Sequence, residues 1–136
     1  MKTILVLEDN PAVMGIFRVI LNAHTILEAT TVEEALQRFI ENDRLLDLMI
    51  SDVVLAAGSG IHAALLLRDA VPGLPIVLTS GYPQSMWSDH DVADLRRLGP
   101  DSVYLLQKPF SPTELLTTIS GLLDKPFCRL KVAGAA

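Results

Sequence analysis

Glu8 and Asp9, Asp52, Ser80 (with Thr79 beside it) and Lys108 are the residues of this chain whose types could act together on one substrate. Three carboxylates brought to one place repel one another unless a cation is present. Hard oxygen donors open to water suit Mg²⁺, which keeps several waters and accepts a phosphate oxygen. A carboxylate can attack phosphorus to give an acyl phosphate, splitting a transfer into two steps. The moving phosphoryl group spreads negative charge over its equatorial oxygens and needs a metal, a cation and a hydrogen-bond donor around it. Mg²⁺, Lys108 and Ser80 supply those three.

These residues are far apart in the chain, so a fold must gather them. Ile4 to Leu7 is an apolar run bounded by acids, as expected of a strand covered on both faces. Asn10-Pro11 starts a helix with an N-cap and a proline in the first turn, and Val13, Ile16, Phe17, Ile20 and Leu21 follow the spacing of one buried face. Thr25 to Ala29 reads as a second strand. Thr31 and Glu34 form a capping box before the stripe Ala35, Leu36, Phe39 and Ile40. Leu48 to Ser51 is a third strand ending at Asp52, and Ile61 to Ala70 a helix closed by Pro72-Gly73. Ile76 to Thr79 and Val103 to Leu106 are the fourth and fifth strands. The last helix is capped by Ser111, Pro112 and Glu114, with Leu115, Leu116, Ile119, Leu122 and Leu123 inward.

Strict alternation of strands and helices implies an α/β fold with a parallel sheet and helices on both faces. Ligands of such a sheet sit beyond the carboxyl ends of its strands. Glu8-Asp9, Asp52, Thr79-Ser80-Gly81 and Gln107-Lys108-Pro109 stand at four of those ends. A single acid after a strand is ordinarily a solvated loop residue, and Lys-Pro is ordinary turn chemistry. Their joint occurrence in this order is what points to a site.

The totals agree. A chain of 136 residues holds one core, read as a domain over 1–124 followed by a loose tail over 125–136. A net charge of −5 argues against direct nucleic-acid binding, and one cysteine, Cys128, forms no internal disulfide. No apolar run approaches the roughly 18 residues of a membrane helix. The apolar start is short and runs into Glu8-Asp9, which reads as a first strand and not a signal peptide, hence a cytoplasmic chain.

Leu7-Glu8-Asp9-Asn10-Pro11, Ser51-Asp52-Val53-Val54, Gly60 eight residues after Asp52, Pro75 through Tyr82, and Lys108-Pro109-Phe110 together resemble the receiver domains of bacterial two-component signalling. The resemblance runs from Lys2 to Leu123. It implies a flavodoxin-like doubly wound sheet of order 2-1-3-4-5, an order for which a receiver protein is itself a standard example. It also implies Asp52 as the phosphoacceptor, Asp9 as a direct Mg²⁺ ligand, Glu8 as its partner acid acting mainly through water, and the Val54 carbonyl as a further ligand. Lys108 would grip a phosphoryl oxygen, and Ser80, five residues after Pro75, would be the switch hydroxyl in preference to Thr79. The implied partner is a sensor histidine kinase or a histidine phosphotransfer protein, with a homodimer through the fourth helix, fifth strand and fifth helix as a further expectation.

Departures from the family pattern are as informative. Ala56 stands where proline is usual, four residues after Asp52, so the loop over the site is expected to be more mobile. Leu105 holds the place of the switching aromatic, with Tyr104 one position earlier and facing the other side of the strand. The stretch from Ser80 to Lys108 is longer than usual and carries Tyr82-Pro83-Gln84-Ser85-Met86-Trp87. With Ser80-Gly81-Tyr82 it looks most like the receivers attached to hybrid histidine kinases. Val54 and Tyr82 flank the path of attacking water, which predicts a long-lived phosphoryl state.

His24, His62 and His90 share no metal-ligand spacing and read as structural or solvent-facing. An aspartyl-phosphate phosphatase needs a second acid two residues after its nucleophile, and Val54 stands there. A degenerate receiver acting as a phosphorylation-independent interaction module would be expected to lack Asp9, Asp52 or Lys108, and all three are present.

Overall fold

The computed structural model describes residues 1–124; the tail expected over 125–136 lies outside the described residues. The main sheet is built from β1 (Thr3–Leu7), β2 (Thr25–Ala29), β3 (Leu48–Asp52), β4 (Ile76–Ser80) and β5 (Val103–Gln107). Its order is β2-β1-β3-β4-β5 and every pairing is parallel. This is the flavodoxin-like order the resemblance implies.

Among the described residues five α-helices cover the sheet: α1 (Pro11–Ile20), α2 (Val32–Glu41), α3 (Gly60–Ala70), α4 (Asp89–Leu98) and α5 (Pro112–Leu123). Alternate residues of each strand point to opposite faces. Leu5, Leu7, Met49 and Leu78 therefore join Phe39, Ile61, Leu67 and Leu98 in a core under α2, α3 and α4. Ile4, Val6, Ile50 and Val77 join Phe17, Leu115 and Ile119 in a second core under α1 and α5. Phe17 also meets Phe110, with ring centroids 5.7 Å apart, so the turn after Lys108 is packed onto α1.

Three apolar positions expected on inner helix faces are exposed: Ile16, Ile40 and Leu116. The buried line is Met14 and Phe17 of α1 with Leu21 at its C-cap, at i, i+3 and i+7, and Ile16 lies about 130° from the middle of it. Phe39 and Leu115 likewise take the centre of their faces and leave the next residue outside. The Thr31 cap is also half of what the spacing suggests. Thr31 Oγ1 accepts the Glu34 N–H at 3.1 Å, but the Glu34 carboxylate turns to the N–H and hydroxyl of Thr30. At α5 the capping box of Ser111 and Glu114 is complete.

The stretch after β4 holds a short 3₁₀ turn at Gln84–Met86, and α4 follows with Ser88 as its N-cap. Trp87 packs against the core under α2, α3 and α4. The half-buried Arg68 guanidinium donates to the carbonyls of Leu74, Leu98 and Asp101, which ties the end of α3 to the α4–β5 connection. Between β3 and α3 the chain makes a short antiparallel hairpin, Val54–Leu55 against Gly58–Ser59, with no counterpart in the sequence reading.

Candidate functional site

The carboxyl end of β1 is held by its own backbone chemistry. Glu8 N–H donates to Ala29 O at 3.0 Å, and Asn10 N–H donates back to Glu8 Oε2 at 3.1 Å. Asn10 Oδ1 then accepts the N–H groups of Ala12 and Val13 as the cap of α1. Glu8 is thereby buried, 1% exposed, while Asp9 is left half-buried at the edge of the site.

Asp52 ends β3, and its main chain is set by a close contact. A Cβ added to Gly60 would lie 1.7 Å from Asp52 O and 2.3 Å from Ser51 Oγ, so α3 can start here only with glycine. Ser51 Oγ donates to that same Asp52 carbonyl at 3.0 Å, and Gly60 N–H donates to Val53 O. This explains the glycine eight residues after Asp52.

Lys108 extends from the end of β5 across β4, which lies between β5 and β3 in the sheet. Its Nζ reaches Glu8 Oε1 at 2.9 Å and Asp52 Oδ2 at 3.1 Å. Burial by itself would lower the lysine's pKa, but the hydrogen bonds and charges of Glu8 and Asp52 outweigh it and raise the pKa above its ordinary value. Asp52 is raised, first by burial, with Lys108 opposing.

The described residues bring Glu8, Asp9 and Asp52 together, with one carboxylate oxygen from each within 4.8 Å of the others. Among the described residues these three carboxylates share one bonded cation, the Lys108 ammonium on Glu8 and Asp52. A divalent cation with hard-oxygen preference fits that donor set and that charge. Both Glu8 oxygens already accept hydrogen bonds, from Lys108 and Asn10, which suits an acid that meets a cation through water.

Ser80, 7% exposed, lies at the end of β4 with its hydroxyl engaged by the next turn: it donates to Tyr82 O and accepts Tyr82 N–H. Thr79 pairs in register with Asp52 and is buried, and its hydroxyl lacks a partner among the described residues. Ser80, Tyr82, Gln84, Trp87 and Leu105 line a cavity of about 280 Å³ beside the site. Leu105 thus occupies the place expected of an aromatic, and Tyr104 lies half-exposed one residue earlier.

Two contacts near the site were not foreseen. Ala56 N–H donates to Asp9 Oδ2 at 2.6 Å, and Ser59 Oγ donates to Asp91 Oδ1 of α4 at 2.8 Å while capping α3. The missing proline at position 56 was the one sequence signal for the first.

The family model of the response regulator receiver domain matches residues 4–120. The chain belongs to this family. This receiver is 32% identical over 126 residues to the Sensor kinase CckA of Brucella abortus (strain 2308), a match covering 90% of this chain and 13% of that much longer protein. Among solved structures it is similar to the receiver domain from the hybrid histidine kinase CckA, with 28% identity, a TM-score of 0.71, and coverage of 90% of this chain and 99% of that one. It is also similar to a CheY-like receiver domain protein from Methanospirillum hungatei JF-1, with 26% identity, a TM-score of 0.76, and coverage of 92% and 95%. The likeness to hybrid-kinase receivers first seen in Ser80-Gly81-Tyr82 is thus met by relatives of that kind.

Proposed function

We propose that this receiver takes a phosphoryl group onto Asp52 from a phosphohistidine of a sensor histidine kinase or histidine phosphotransfer protein. The observation that carries the reading is Lys108 Nζ lying between Glu8 and Asp52 at 2.9 and 3.1 Å, with Asp9 completing a carboxylate triad. An Asp52 carboxylate oxygen attacks phosphorus; the P–N bond breaks, its electron pair returns to the imidazole, and an acyl phosphate forms.

Glu8, Asp9, Asp52 and the Val54 carbonyl would hold Mg²⁺, which when bound offsets negative charge on the phosphoryl oxygens. Lys108 releases one carboxylate oxygen and grips a phosphoryl oxygen. Ser80 turns from Tyr82 to donate to another, changing the bonds of the loop that follows.

Exposed Tyr104, Leu105 and Leu116 lie on β5 and α5 and support a homodimer across α4, β5 and α5. No described helix is long and apolar enough to cross a membrane. The test is an intact mass spectrum after incubation with Mg²⁺ and acetyl phosphate. A gain of one phosphoryl group, absent from Asp52→Asn, is expected. No gain would favour the phosphorylation-independent interaction module.

A further inference from the structure

The residue four places after Asp52 is proline in the usual receiver pattern, and a proline has no N–H to donate. Here Ala56 does have one, and it donates to Asp9 Oδ2 across 47 positions of sequence at 2.6 Å. A hydrogen bond to an ionised carboxylate is among the stronger kinds. The donor does not simply follow Asp9 about, because the hairpin that carries it is fixed at its other end. Val54 and Leu55 pair with Ser59 and Gly58. Gly60 N–H holds Val53 O, and the Ser59 hydroxyl is bonded to Asp91 of α4.

We propose that the Ala56 main-chain N–H is a positioning donor for Asp9: it fixes the carboxylate through Oδ2 and leaves Oδ1 as the less committed oxygen for a cation. The inference rests on the metal reading above. Outer hydrogen bonds to a metal-binding carboxylate orient it, and their loss commonly weakens metal binding about 10- to 100-fold. In this receiver the hairpin supplies by a backbone bond what a rigid proline cannot supply at all.

The experiment is a calorimetric titration of the full chain with Mg²⁺, without phosphodonor, for the wild type, Ala56→Pro and Ala56→Gly. Ala56→Gly keeps the N–H and is expected to bind as the wild type does, within about 2-fold. Ala56→Pro lacks it and is expected to bind about 10-fold more weakly. Equal or tighter binding by Ala56→Pro would overturn the proposal. If Ala56→Pro fails to fold, amide hydrogen exchange decides. In EDTA the Ala56 amide of the wild type is expected to be protected and that of Asp9→Ala to exchange at least about 10-fold faster, whereas equal rates would overturn it. Absence of any Mg²⁺ binding by the wild type would overturn the metal reading and this inference with it, an outcome distinct from a failure confined to the proline variant.

Discussion

Ser80 and Tyr82 hold each other closed: Ser80 Oγ donates to Tyr82 O at 2.9 Å and accepts Tyr82 N–H at 3.0 Å. The Tyr82 carbonyl also accepts Trp87 Nε1 at 3.3 Å. A hydroxyl has one proton, so it cannot serve Tyr82 and a phosphoryl oxygen together. If Ser80 turns to the phosphoryl group, the bonds around Trp87 must change. Trp87 is the chain's single tryptophan, so its emission is expected to shift on phosphorylation. In Ser80→Ala the shift is expected to vanish, with a stability loss of about 1 kcal/mol. A full emission response in Ser80→Ala would contradict this route.

Lys108 bridges two carboxylates at once, and its side chain is 22% exposed between Glu8 at 1% and Asp52 at 13%. Removing one partner of a buried ion pair leaves its counterparts uncompensated, at a cost of about 3 kcal/mol. Lys108→Ala is expected to melt lower than the wild type in EDTA and to recover part of the difference in Mg²⁺. Urea unfolding with and without the metal reads both. An unchanged midpoint in EDTA would show that Glu8 and Asp52 do not depend on the ammonium.

The raised pKa of Asp52 has a definite sign for stability. Burial makes the folded state hold the Asp52 proton more tightly than the unfolded chain does. Its contribution is therefore fully present below the ordinary carboxylate value, about 4, and is lost as pH rises through the folded value. At pH 7 the ionised group opposes folding. In EDTA, Asp52→Asn is expected to be more stable than the wild type at pH 7, with the gap narrowing toward pH 4. A variant less stable than the wild type at pH 7, or a gap that does not vary with pH, would contradict the assignment.

Gly60 tests the backbone rather than the charges. A methyl at this position meets Asp52 O at 1.7 Å, and backbone cannot give way as a side-chain end can. Gly60→Ala is expected to lose about 3 kcal/mol or more by thermal or urea unfolding, and to lose phosphorylation because Asp52 is displaced. Gly121→Ala, in open space on α5, serves as the control and is expected to be neutral or slightly stabilising. Equal stability of the two variants would remove the steric account of Gly60.

Much of the fold was legible because a parallel sheet buried on both faces leaves apolar runs such as Ile4–Leu7 and Ile76–Leu78, and because Asn10-Pro11 and Ser111-Pro112 mark helix starts without tertiary help. The triad was legible because carboxylates at strand ends converge in this topology. Periodicity gives a helix face but not its centre, so it does not separate the exposed Ile16, Ile40 and Leu116 from their buried neighbours. The hairpin at 54–59 and the Ala56–Asp9 bond were not legible, since a main-chain N–H leaves no mark in the sequence beyond the absence of proline. The bond of Ser59 to Asp91 depends on where α4 packs, which no local pattern gives.

Hydroxylamine tests directly whether Asp52 is the phosphorylated residue. After incubation with Mg²⁺ and acetyl phosphate, hydroxylamine attacks an acyl phosphate at its carbonyl carbon, displaces phosphate and leaves a hydroxamate that peptide mass spectrometry locates. The expected result is one hydroxamate, at position 52, absent without donor and absent from Asp52→Asn. A hydroxamate at Glu8 or Asp9, or none at all, would contradict the central claim.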